Sequence, residues 1–121
     1  MKGIRGAIAP VENSSEAIGE KALALFTQVC QANNLNPDQI VLVIFTCTQD
    51  LTAAYPAKAL REAGYVQIPM LCVQEQKVDN SLSQCIRILV LVEDMPVASH
   101  VYIGEARRLR PDWVGETDEP L

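Results

Sequence analysis

The chain has 121 residues, nearly half of them apolar, with 10 Lys+Arg against 15 Asp+Glu and a net charge of −5. That length suits one domain, 1–121, with a real core, and that apolar content excludes a disordered chain. The acidic balance argues against nucleic acid, no apolar run approaches the ~20 residues of a membrane span, and Arg5 interrupts any signal peptide at the N-terminus.

The elements follow in order. Residues 2–8 read as a first strand. Asn13 with Glu16 three residues on suggests a capping box for a helix whose apolar stripe is Ile18, Ala22, Leu25, Phe26 and Val29, at i, i+4, i+7, i+8 and i+11. That helix ends near Asn33-Asn34, with Pro37 beyond. Residues 40–46, Ile-Val-Leu-Val-Ile-Phe-Thr, form a continuous apolar run and read as a strand buried on both faces. A second, shorter helix is expected from Pro56 to Ala63, with proline in its first turn and Gly64 past its end. Strands are expected at 66–73, 85–93 and 100–109, and 111–121 reads as a mobile tail. This order implies an α+β fold: a mixed β-sheet with two helices packed on one face. The other face is then apolar and uncovered, and a second subunit is the expected cover.

The chemistry is carried by few residues. Arg87 stands inside Cys85-Ile86-Arg87-Ile88-Leu89-Val90-Leu91-Val92. A guanidinium keeps its charge there and needs an anion or several acceptors. Glu75 ends the run Cys72-Val73-Gln74-Glu75, and arginines flank the chain in Gly3-Ile4-Arg5-Gly6 and Leu109-Arg110-Pro111. Together they suit a small organic anion. One histidine, His100, excludes a histidine-rich metal site, and Cys30, Cys47, Cys72 and Cys85 fit no zinc spacing. They read instead as reduced cysteines of a cytoplasmic protein. There is no phosphate-binding glycine motif, and no pair of carboxylates placed for acid–base work. Arginine, one glutamate, tyrosine and lysine suit binding and electrostatic stabilisation.

Five segments in register carry a resemblance. The chain resembles the small monofunctional chorismate mutases of the trimeric α/β-barrel-like class. The matching segments are Gly3-Ile4-Arg5-Gly6-Ala7, Tyr55-Pro56-Ala57-Lys58-Ala59-Leu60-Arg61, Cys72-Val73-Gln74-Glu75, Cys85-Ile86-Arg87 and His100-Val101-Tyr102 with Leu109-Arg110-Pro111-Asp112. The resemblance implies a homotrimer with sites at subunit boundaries, and the Claisen rearrangement of chorismate to prephenate on the route to phenylalanine and tyrosine. That reaction needs no cofactor and no metal. It implies Arg87 at the ether oxygen, Arg5 on a substrate carboxylate with Tyr102 nearby, and Glu75 accepting from the substrate hydroxyl beside Cys72. Tyr55, Ala57, Lys58, Val73 and Leu109 match pocket-lining positions, and Arg61 and Arg110 match its mouth.

The chain departs from the family pattern in three places. Tyr55 replaces the usual phenylalanine, the segment Ala7–Glu12 differs by about one residue and lacks threonines, and the loop before His100 is short. Two other readings compete: an enamine or imine deaminase-like trimer, and a non-catalytic metabolite-binding domain. The Cys72–Glu75 motif disfavours the first, and a cation aimed at an ether oxygen has no purpose in the second.

Overall fold

A computed structural model describes residues 1–113. Its elements are β1 (Lys2–Ala9), α1 (Ser15–Ala32), β2 (Ile40–Cys47), α2 (Pro56–Glu62), β3 (Met70–Gln74), β4 (Ile86–Val92) and β5 (Val101–Gly104). The strands form a mixed sheet in the order β3-β2-β4-β1-β5. β4 is antiparallel to both its neighbours, whereas β3 runs with β2 and β5 with β1. The carboxyl ends of β1, β2, β3 and β5 therefore gather at one edge with the start of β4.

The helices cover one face. Ile18, Ala22, Leu25, Phe26 and Val29 of α1 are fully buried, as their periodicity requires. They meet Leu60 and Ala57 of α2 and the inward residues of the sheet: Ile4 and Ile8, Val43 and Phe45, and Ile86, Ile88, Val90 and Val92. The cap of α1 falls one residue later than the sequence suggests. Ser14 is extended (φ −141°, ψ 154°), and its Oγ accepts from the Ala17 N–H at 3.1 Å. Asn13 is drawn into a tertiary tie instead, its Oδ1 accepting from Thr52 N at 2.9 Å and Ala53 N at 3.0 Å. This fixes the start of α1 to the loop before α2.

Two strand boundaries need correction. β3 begins at Met70, not 66, because Pro69 has no N–H to offer a ladder and constrains Ile68 before it. β5 stops at Gly104 rather than continuing to 109. Gly104 has φ +65°, and a Cβ there would lie 2.1 Å from the Ala9 carbonyl oxygen. Only glycine permits that approach, and the chain then turns into a 3-10 helix at Glu105–Arg108. The expected tail, 111–121, opens with another 3-10 turn at Pro111–Trp113 and otherwise lies outside the described residues.

Nor is β2 buried on both faces of this chain. Only Ile40, Val43 and Phe45 are buried, and Leu42, Ile44 and Thr46 look out on the face without helices. That face also carries Leu89, Leu91, Leu71 and Val73, with Leu71 58% and Val73 41% exposed. Apolar residues on both sides of a strand record two coverings, and the helices supply one of them. Among the described residues no helix is long and apolar enough to cross a membrane.

Candidate active site

The strand register aligns a row of side chains across the open face. Val73 pairs with Thr46, Thr46 with Arg87, Arg87 with Ala7, and Ala7 with Tyr102. Paired residues point to the same side, so this row places Arg87 at the centre of the face and Tyr102 at one edge. In the next row Leu71, Ile44, Leu89 and Arg5 stand side by side. The alternation that buries Ile86 and Ile88 thus turns Arg87 outward beside Leu89, and Arg5 joins it from β1.

Arg87 meets the acceptor its position demands. Its Nε donates to Glu75 Oε1 at 2.5 Å and its Nη2 to Glu75 Oε2 at 3.3 Å, a two-pronged pair. The Arg87 and Glu75 side chains are 29% and 13% exposed. Glu75 is held there by its own backbone, whose N–H donates to the Cys47 carbonyl at 2.8 Å, one residue past β3. The start of β4 is pinned by a polar knot. Cys85 N donates to Thr48 Oγ1 at 3.0 Å, and Thr48 in turn donates to Asp50 Oδ1 at 2.5 Å. Asp50 also accepts from Gln84 N. From sequence, Thr48 and Asp50 are only turn residues; their role depends on a strand 37 positions away.

A second cationic group surrounds Tyr102. Burial raises the Tyr102 pKa, against the opposing fields of Arg5, Arg110 and Arg87, so its hydroxyl is protonated and can donate. Burial, then Arg5 and Arg110, lower the pKa of His100. Its Nδ1 accepts from the Arg5 N–H at 3.0 Å, which fixes the backbone carrying that arginine. Arg110 forks onto Asp112 at 3.1 and 2.8 Å in the open, where such a pair adds little stability. Leu109 and Tyr102 pack against Ala7, Ala9, Cys85 and Ala106.

The remaining candidates lie elsewhere. A cavity of about 640 Å³ at the carboxyl ends of β2 and β3 is bordered by Tyr55, Lys58, Cys72 and Val73, together with Cys47 and the loop between β2 and α2. A neighbouring cavity of about 300 Å³ is bordered by Glu75 and the loop that follows it, and the two share Thr48 and Gln49. Arg5, Arg87 and Tyr102 border neither cavity. Arg61 is exposed on α2 and also stands outside both. Ala57 is 2% exposed and belongs to the core with Leu60, because it falls on the inward stripe of α2; it supports the cavity wall from behind. The larger cavity and Tyr102 therefore stand toward opposite edges of the sheet, on the β3 and β5 sides, with the Arg87–Glu75 pair between them.

The Cys47 and Cys85 thiols are poor candidates for cysteine chemistry. Burial pushes the Cys47 thiol up to about 11, with Cys72 and Glu75 adding to it, and the Cys85 thiol up to about 12. Both are neutral and weakly nucleophilic near pH 7. The sequence reading overlooked Thr46, whose hydroxyl stands in the row beside Arg87.

The comparisons with known proteins agree with this geometry. The chorismate mutase type I family matches residues 1–113. The chain belongs to that family. It is 42% identical over 116 residues to the chorismate mutase AroH of Thermus thermophilus, covering 93% of this chain and 95% of that protein. It is 36% identical over 116 residues to the chorismate mutase AroH of Bacillus subtilis (strain 168), covering 93% and 91%. A solved chorismate mutase from Clostridium thermocellum superposes with a TM-score of 0.85 at 34% identity, over 89% of this chain and 99% of that one. Family membership makes the chain an isomerase and disfavours the deaminase-like and non-catalytic readings.

Proposed function

We propose that this type I chorismate mutase rearranges chorismate to prephenate at sites completed between neighbouring subunits of a homotrimer. The observation that carries the reading is the division of the charged and apolar halves. Arg87, Arg5 and Tyr102 stand on a sheet face whose apolar residues lack cover among the described residues, and the cavity with Tyr55 and Lys58 opens toward the β3 edge. Val73 on β3 and Tyr102 on β5 are four strand spacings apart, about 19 Å, too far for both to grip one small dianion. A second copy docked on the open face removes apolar surface from water and completes the site around one chain's paired Arg87 and Glu75.

The reaction breaks the ether C–O bond of chorismate as a new C–C bond forms, with no proton or electron entering or leaving. The ether oxygen gains negative charge on the way. Arg87 donates to that oxygen, where its field is felt more in the transition state than in the ground state. Arg5 holds a substrate carboxylate, Tyr102 donates beside it, and Glu75 accepts from the substrate hydroxyl next to Cys72. These contacts select the compact conformer in which the reacting carbons meet. Tyr55, Lys58, Val73 and Leu109 line the pocket, with Ala57 behind them in the core, while Arg61 and Arg110 stand at its mouth. The chemistry asks for no cofactor or metal. The same reading puts the protein in the cytoplasm, where four free cysteines stay reduced.

The test is a continuous ultraviolet assay on the purified protein, following loss of chorismate and formation of prephenate, with light scattering on the same sample. Turnover by a three-chain particle is the expected result. Absence of turnover refutes the activity; a monomeric mass with full turnover refutes the shared site.

A further inference from the structure

Among the described residues, the Thr46 hydroxyl is a buried side-chain oxygen without a hydrogen-bond partner. Leaving such a group unpaired destabilises the fold, and valine would fill the same volume without that cost. Its place in the fold suggests a reason for its presence. Thr46 lies on β2, in register with Arg87 on one side and Val73 on the other, and it points to the open face. Glu75 follows β3 while Arg87 pairs with Thr46, so the Arg87–Glu75 pair crosses β2 beside Thr46, toward Thr48. The hydroxyl oxygen has less than 1 Å² of accessible surface within a single chain. A docking subunit therefore does not reach it, and a partner must come from its own chain.

We propose that Thr46 is a positioning residue, whose hydroxyl donates to the Glu75 carboxylate when the substrate's ether oxygen draws the Arg87 guanidinium away. The inference rests on the chorismate mutase reading. In the empty site both Glu75 oxygens accept from Arg87, and the hydroxyl is idle. In the occupied site Arg87 turns to the substrate, and Glu75 must keep its orientation toward the substrate hydroxyl without that fork. A hydroxyl can supply the missing donor, and an alkyl group cannot.

Thr46→Val is the test, with kcat and KM from the chorismate assay and folding from circular dichroism and thermal melting. Because the hydroxyl is idle in the empty site, the valine variant folds and melts no lower than the parent. Its kcat falls about tenfold or more, the size of one hydrogen bond to a charged group, while KM moves less than about twofold. Thr46→Ser restores most of the rate. In a Glu75→Ala background, Thr46→Val changes kcat by less than about twofold, since the group it serves is gone. Parental kcat in Thr46→Val, failure of that variant to fold, or the same tenfold loss without Glu75 each overturns the assignment. A parent protein that does not turn over chorismate overturns the activity itself, and the role of Thr46 falls with it.

Discussion

Replacing Arg87 by alanine removes the cation on which the proposed rearrangement depends. If Arg87 stabilises the charge developing on the ether oxygen, its loss costs about 3–4 kcal/mol of transition-state stabilisation, or two to three orders of magnitude in kcat. The fold pays a separate and smaller penalty. Glu75, with a side chain only 13% exposed, is left without its partner. Breaking a fully buried pair costs about 3–5 kcal/mol, and Arg87 is 29% exposed, so water screens part of this one. A loss of about 1–2 kcal/mol remains, or about 4–8 °C in Tm for a chain of this size. Arg87→Lys keeps the charge but cannot fork onto Glu75, and recovers only part of the rate. Steady-state kinetics beside circular dichroism separate the two effects. A folded Arg87→Ala variant with parental kcat and only a raised KM shows that Arg87 merely binds substrate, and the electrostatic argument is then wrong.

Three other outcomes are expected. Glu75→Gln keeps an acceptor and loses the charge, so it retains more kcat than Glu75→Ala, which loses both; equal, near-parental rates would make Glu75 a bystander. Leu89 stands in the middle of the uncovered face, and Leu89→Glu places a charge there, so light scattering should report a smaller particle with little turnover; an unchanged mass places the interface elsewhere. Gly104→Ala brings a Cβ against the Ala9 carbonyl at a positive φ, and thermal melting should show a loss of at least about 2 kcal/mol; an unchanged Tm means that β5 yields without cost.

Sequence by itself determined the elements and the charged groups. The stripe of α1 is a local periodicity, and its burial follows without knowledge of the fold, whereas the apolar run around Arg87 marks a strand without telling which side meets the helices. An arginine in an apolar strand announces an anion, and the family motifs supplied the candidate. Strand ends were less legible, because Pro69 acts through a missing donor and Gly104 through a neighbouring strand's carbonyl. Tertiary structure alone decided which acceptor Arg87 meets, that Ser14 rather than Asn13 caps α1, and that Ala57 turns into the core. It also set Thr46 in register between Val73 and Arg87. Each of these depends on residues far apart in the chain, whose contacts exist only after the sheet has paired and no local pattern encodes them.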